Sequence, residues 1–414
     1  MTTATAVPTG TGIGTDAPAP ASMARSGINQ TPGQASAQTI PFSRASTLAT
    51  AKDSSLLNLP AGSTSQVPLQ TNAFLENLIL DVQMTGFTAA TAVYTNDSPW
   101  NAIQVKFDDP AGQNIVTNLT GFALFTMNKY LPDTDCNFDP TYDPNYATPT
   151  SGNFSFRVVV PVEHRRRDAF GALNNSAANA RYLLTITTNA SYGTNGAAND
   201  PNYLYSTAPT GAGLINIYIY QQYWTSPPNT IVSGGQSLPT QQTPTGLGSV
   251  AFIRFEQHNE ITGGGTPMIQ FNNVGDIITF INFTIRATIT AVNNQRDAVD
   301  WPPEFDFYVN DFQTMAWSTN DLQRAIARFY NLTRGAVSVT PIAGRLDAGV
   351  FPLFMFFALF DECLNFGPAN QYLATDATTK LQVRGSNWGS TNTNQVLQVH
   401  TRLVRPVTGA ALYA

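Results

Sequence analysis

His164, His258 and His400 are the three histidines of the chain, and no two are neighbours in sequence. No HExxH pair, nucleophile elbow, Walker loop, dinucleotide fingerprint or Cys/His dyad accompanies them. His400 falls in an alternating segment with Val396, Gln398 and Arg402, the setting of an ordinary strand residue. A second candidate is the acidic stretch 133–143, where Asp133, Asp135 and Asn137 have the 1-3-5 spacing of a calcium loop. Phe138 stands where that loop needs Gly, and Pro144 where it needs Glu, so a turn-rich acidic loop is the better reading. His164-Arg165-Arg166-Arg167-Asp168 is the basic cluster; it suits phosphate groups, or a solvated or subunit-pairing patch. If it faces an anionic internal layer, neutralising all three arginines should impair assembly while the subunit still folds. Glu256, Glu260 and Asp306 could form a glycosidase carboxylate pair, with Tyr218, Tyr220, Tyr223 and Trp224 as a sugar platform. The same aromatics serve equally for packing between sheets or subunits. Asn-x-Ser/Thr sequons at Asn118, Asn153, Asn174, Asn189, Asn282 and Asn331 read as compositional noise, since Asn282 lies in a core-like strand. The expectation is no catalytic, no cofactor-binding and no metal-binding residue.

Composition narrows the classes further. Charged residues make up 12% of 414, about half the share of an ordinary soluble domain, while hydrophobic residues still make up 42%. Asn, Thr, Gln, Ser and Gly fill the gap. A polar, weakly charged surface suits a protein that lies against copies of itself, because few charges need desolvating. The net charge of −6 argues against a dedicated nucleic-acid binder, so no specific nucleic-acid recognition is expected. Cys136 and Cys363 are too few for a disulfide framework or a four-ligand zinc site. No charged n-region followed by an apolar stretch marks a secretory signal, and the longest apolar run, Phe351 to Phe360, is too short to span a bilayer.

The elements that would position these residues are mostly strands. Leu78, Leu80, Val82 and Met84 alternate with Ile79, Asp81 and Gln83; Phe154 to Val160 and Ile215 to Ile219 alternate likewise. Tyr182 to Thr188 is rich in β-branched residues. Turn signals at 108–112, 132–133 and 194–196 separate the runs. Two helices are expected, at Thr117–Asn128 and at Thr319–Tyr330, the second capped by Thr319 with Leu322, Ile326 and Phe329 on one face. Residues 1 to about 60 are low-complexity with four charges before residue 53, which predicts an extended arm. Residues 226–249, rich in Pro and Gly and without charge, predict a linker. The expected domains are therefore an arm (1–60), a first β domain (61–228), a linker (229–249), a second β domain (250–407) and a tail (408–414).

The two halves resemble each other. Laying Asn72 on Asn273 sets an offset of 201, which also carries Leu80, Val82 and Met84 onto Ile281, Phe283 and Ile285, and Trp100 onto Trp301. A strand, a turn and a helix follow each Trp. The match resumes where Asn153 to Phe156 meets Val350 to Phe354, and where Tyr192-Gly193 meets Trp388-Gly389. Each half ends in a long strand reaching a proline, Pro227 or Pro406. A period this long means duplication of a domain, not a solenoid. Each repeat has room for an eight-stranded jelly roll with a helix in a loop, so the fold class expected is all-β, two tandem jelly rolls.

In this order of elements the chain resembles the double jelly-roll major capsid proteins of the tectivirus–adenovirus lineage. Ser98-Pro99-Trp100-Asn101, Asn118-Leu119-Thr120-Gly121 and the stretch Tyr372 to Thr378 look like recurring phage versions of that fold, and the resemblance runs over roughly residues 65–407. It implies a non-enzymatic shell protein, a homotrimer of pseudo-hexagonal outline that tiles an icosahedral virion. The partners it implies are further copies, other capsid or vertex proteins and, in many members, an internal membrane. It also implies that the arm lies inside and that the loops 133–150 and 193–213 form an outer tower. Few Lys or Arg in the arm speak against membrane contact. The rival classes are a carbohydrate- or receptor-binding β protein and a jelly-roll glycosidase.

Overall fold

The computed structural model describes residues 39–88, 92–131, 145–146, 151–197, 200–261, 265–289, 292–296, 301–329, 347, 349–352, 373–386, 388 and 393–405. Eight principal strands build the first half: β1 (Leu48–Leu59), β2 (Thr64–Pro68), β3 (Phe74–Phe87), β4 (Ile103–Asp108), β5 (Asn114–Thr120), β6 (Phe154–Pro161), β7 (Leu183–Thr188) and β8 (Gly211–Trp224). Helix α1 (Gly121–Tyr130) follows β5 directly. Eight more build the second: β9 (Val250–Ile261), β10 (Met268–Phe271), β11 (Ile277–Ile289), β12 (Glu304–Val309), β13 (Phe312–Ser318), β14 (Val350–Pro352), β15 (Leu381–Gly385) and β16 (Thr393–Arg405), with helix α2 (Thr319–Phe329) after β13.

Strand order repeats between the halves. One sheet of the first half runs β1-β8-β3-β6, and the second half has β9-β16-β11-β14. The facing sheet runs β2-β7-β4-β5, and its counterpart β10-β15-β12-β13. The chain is two tandem jelly rolls, and every strand of the first finds its counterpart eight labels later. The register agrees with the offset read from sequence. Val82 lies opposite Ile217 and Phe156, and Phe283 lies opposite Val399 and Phe351. Alternation sets the faces, since successive strand residues point to opposite sides. Leu80, Val82, Ile215, Ile217 and Ile219 are all fully buried in the first core. Ile281, Phe283, Ile285, Leu397 and Val399 hold the second.

Several sequence expectations need correction. Residues 48–59, placed in the arm by composition, form β1, which pairs along β8 from Leu48 opposite Trp224 to Leu59 opposite Ile215. Just before it, Phe42–Ala45 makes one helical turn whose Phe42 packs on Phe74 and Trp224. The linker holds a hairpin, Thr230–Ser233 with Gln236–Pro239. Gly234 and Gly235 close it with φ of 59° and 80°, the positive angles of a two-residue turn. Ile40 bridges to Thr240, so the chain before β1 is tied to the linker. The first helix begins at Gly121, not Thr117, because 117–120 complete β5 opposite β4. Gly121 suits this point: a Cβ there would overlap the Trp100 carbonyl oxygen. Thr120 caps α1, its Oγ1 accepting from the Ala123 N–H at 3.1 Å. The cap of α2 is Ser318, whose Oγ accepts from the Asp321 N–H at 3.1 Å, and not Thr319, whose hydroxyl donates to the Pro302 carbonyl.

Candidate functional site

A group of buried charged and polar side chains gathers where the two rolls meet. β5, the last strand of its sheet in the first roll, takes β9 of the second as a parallel neighbour, with Val116 opposite Ile253. The Thr117 hydroxyl donates to the Ile253 carbonyl, and the Arg254 guanidinium to the Asn114 carbonyl. This one pairing fuses two sheets into a ten-stranded sheet shared by both rolls. Ile253 and Phe280, both from the second roll, are buried in the hydrophobic core of the first.

Helix α1 lies beside this seam and is buried on every side. Such a helix needs partners for its polar groups, since a buried unpaired polar group costs about 1–3 kcal/mol. The second roll supplies them. Asp347 accepts from Lys129 Nζ at 2.9 Å and from the Tyr130 hydroxyl at 2.8 Å, and the carboxylate and ammonium are both almost fully buried. Asn282 Nδ2 donates to the Thr126 hydroxyl at 3.1 Å. Asn128, by contrast, stays within the first roll and exchanges two 2.9 Å hydrogen bonds with the Val159 backbone. Phe122 carries the guanidinium of Arg296 on its ring, 4.6 Å from the centroid. Asp97 takes both Arg286 (2.9 Å) and Arg296 (2.6 Å). Burial alone would raise the Asp97 pKa, but the two guanidinium groups outweigh it and hold the carboxyl below its ordinary range.

The basic cluster sits at the other end of the joint, and two of its arginines are paired within the fold; the side chain of Arg167 lies outside the described residues. Arg165 forms a two-pronged pair with Asp168, and Arg166 reaches the buried Glu76 at 3.2 Å. Arg402 of β16 donates to the Glu163 carbonyl at 2.6 Å, and Phe170 packs with Ala251 and Val404. Gly246 passes over Phe170 where no Cβ would fit. Burial, with Glu76 close by, pushes the Glu163 carboxyl well above its usual pKa, against the opposing Trp224 indole N–H and Arg166. Burial, Arg402 and Arg165 push His164 well below the usual imidazole value.

The remaining candidates are scattered. His400 is buried against Phe255, and burial together with the charge of Arg286 lowers its pKa to about 3. His258 packs on Phe271 with Glu256 3.5 Å away. His258 and His400 are on neighbouring strands, β9 and β16, while His164 belongs to the first roll. Glu256 accepts from the Asn272 N–H, and Asp306 lies on a different sheet, between Ala316 and Arg384. Glu256 and Glu260 thus share β9, while Asp306 is on another sheet. Trp224 serves packing: its ring meets Phe42 and its N–H donates to Glu163. Tyr218 sits under Lys52, and Tyr220 packs by Ile79 and Val159. Asn282 is fully buried within β11. Asp133, Asp135, Asn137, Cys136 and Cys363 lie outside the described residues, as does the side chain of Glu260.

A polar groove of about 460 Å³ opens beside the joint, lined in part by Asn101, Gln104, Thr120, Asn189, Arg286 and Gln398. Among the described residues of that lining Arg286 is the one charged side chain, and it already binds Asp97 and Gln398; none of them is an acid or an imidazole. Among the described residues no three His, Cys, Asp or Glu side chains group as a metal site, and no helix is long and apolar enough to cross a membrane.

No protein-family model matches the chain, and no curated protein matches it. Solved structures do. The chain is similar to the STIV MCP, with a TM-score of 0.56 and 12% identity over 89% of this chain and 100% of that one. It is similar to a chain of Sulfolobus Turreted Icosahedral Virus (TM-score 0.55, 12% identity, 87% and 92% covered). It is also similar to a chain of the PBCV-1 virus capsid (TM-score 0.54, 10% identity, 87% and 93% covered). At such identities the likeness is one of fold, and it extends over both jelly rolls.

Proposed function

We propose that the protein is a shell subunit, the major capsid protein of an icosahedral virus, acting as a pseudo-hexameric homotrimer. The duplicated roll carries this reading. Two rolls of the same strand order are joined through a shared sheet and buried ion pairs, so one chain presents two similar building units. Three chains would present six. The chains most like it in fold include one from the PBCV-1 virus capsid and one from Sulfolobus Turreted Icosahedral Virus. The surface is weakly charged, as repeated self-contact requires. The reading assigns no reaction, cofactor or metal, and places the protein in the virion after assembly in the host cytoplasm.

The same reading divides the chain into an arm, two rolls joined by the 229–249 segment, and a short tail, with β1 counted in the first roll. Its partners are other copies, then vertex or minor capsid proteins, and an internal membrane where the particle has one. The loops 193–213 and 133–150 are its outward face. Light scattering tests it first: three chains of 44.7 kDa make a particle of about 134 kDa. Electron microscopy of assembled material should show hexagon-shaped units. A stable monomer under native conditions would overturn the assignment.

A further inference from the structure

The duplication leaves one strand in an unequal position. β5 and β13 occupy the same place in their rolls, each ending in a capped helix. Within the chain β5 is covered by β9, and Ile115, Val116 and Leu119 are buried. Among the described residues β13 is the last strand of its sheet. Phe312, Gln313, Thr314 and Ala316 are all exposed, Phe312 to 78%. The strand reads FQTMAWS, with no charged residue and no proline. Free sheet edges are normally blunted by lysine, proline or a bulge that turns them away, because a bare apolar edge recruits other chains. β13 has no such charge or proline; it does carry a bulge, at Thr314 between Gln313 and Met315, as β5 carries one at Ile115 between Asn114 and Val116, and in β5 the bulge does not prevent pairing with β9.

The matching gap lies at the other end of the molecule. β1 is the counterpart of β9: Lys52 sits opposite Tyr220 on β8, as Ile253 sits opposite Arg402 on β16. The offset between them is again 201. β9 has neighbours on both sides, β16 and β5, while among the described residues β1 has β8 alone. Leu57 of β1 is 55% exposed. Gln70 closes the Asp53 carbonyl with its side-chain amide, so the open stretch of β1 is Leu48–Lys52.

We propose that β13 of one copy takes β1 of a second copy as its parallel neighbour, as β5 takes β9 within the chain. The register follows from the internal joint. Val116 lies opposite Phe107 on β4, and Met315 lies opposite Phe307 on β12. Met315 is thus level with Lys52 of the second copy, and Thr314 with Ala51. The contact is heterologous: each copy offers one β13 and one β1, and the surfaces differ. It deepens the trimer reading, on which it rests. Three copies joined in this way carry six joints of one kind, three inside chains and three between them. The joints between chains are the more polar, because Lys52 stands where Ile253 is buried and α2 turns Asn320, Asp321 and Arg324 outward. That suits a subunit that must stay soluble before it meets its partners.

Paired cysteines test the register. The double variant Thr314→Cys with Ala51→Cys should, after mild oxidation, run as covalent dimers and trimers on a non-reducing gel, while each single variant runs as the unmodified protein does. A second variant, Thr314→Lys with Ala316→Lys, charges two exposed positions of the edge. It should keep the far-UV spectrum and melting temperature of the parent and lose at least tenfold in association by light scattering. If the parent weighs as a trimer but the cysteines do not link and the lysines do not dissociate it, the edge pairing is wrong and the trimer stands. If the parent is a monomer at all concentrations, both readings fall.

Discussion

Helices α1 and α2 hold the same place in two copies of one roll, yet their surfaces differ in kind. α1 (GFALFTMNKY) is buried all round, and its one cation meets Asp347 of the second roll. α2 (TNDLQRAIARF) buries Leu322, Ile326 and Ala327 on one face and leaves Asn320, Asp321 and Arg324 in water. Fold position explains the buried stripe that both share. It does not explain the other face, which is set by whether a neighbour covers it. A duplicated domain therefore records its surroundings in the residues that differ between its copies.

The largest expected contrast is between two aspartates. Asp347→Ala leaves Lys129 buried without its charge partner, and removing one member of such a pair costs about 3–5 kcal/mol. Asp321→Ala, on the exposed face of α2, removes a surface pair with Arg324 and should cost about 1 kcal/mol or less. Denaturant unfolding of the two variants would erase the comparison if the costs came out equal.

Acid should act on the joint before it acts on the rest. His400 and His164 are held neutral in the folded protein, with pKa values below the usual imidazole value of 6.5. The unfolded chain binds protons there first, so stability is fully present above about pH 6.5 and declines below it. The slope approaches about 1.4 kcal/mol per pH unit for each histidine. For His400 the decline continues down to about pH 3. His400→Gln should remove its share of the slope. Glu163 has the opposite sign. Its folded pKa is raised, so its ionisation costs stability as pH rises above the ordinary value of 4.5. Glu163→Gln should stabilise the protein at pH 7, and that gain should vanish below about pH 4.5. A loss at pH 7 would show that the Glu163 carboxylate is needed by the Trp224 indole N–H and Arg166.

The smallest effect tests likeness rather than difference. Thr120→Ala and Ser318→Ala each remove a helix cap and should cost about 1 kcal/mol alike. Unequal costs would mean that burial of α1 changes the worth of its cap.

Much of the fold was readable because core-facing residues alternate or recur: Leu80, Val82 and Met84 announced β3, and the spacing of Trp100 and Trp301 announced the duplication. β1 hid within the arm because its core-facing side is weak. In LATAKDSSLLNL the buried residues are Asp53 and Leu59, and Asp53 is held by the Gln70 N–H just after β2 and by Gln221 of β8. The start of α1 was misplaced because Leu119 fits a helical spacing with Phe122 while Val105 pairs it into a strand. The linker hairpin has little apolar content to betray it. The arginine cluster looked free because one of its partners is far away in sequence: Glu76 lies some ninety residues before Arg166, and only folding brings the two together, whereas Asp168 is three residues from Arg165.

The antiparallel pairing of β1 with β8 has a consequence for the order in which the chain is made. Leu48 leaves the ribosome early, but its partner Trp224 follows about 176 residues later, so the first roll cannot close during most of its own synthesis. Once it closes, α1 still lacks Asn282 and Asp347 and offers an uncovered apolar side. At about 5–20 residues per second, that interval lasts roughly ten seconds. The nascent chain is most prone to stick to other nascent chains then. A holding chaperone would find its target in a helix that ends buried on every side in the finished protein.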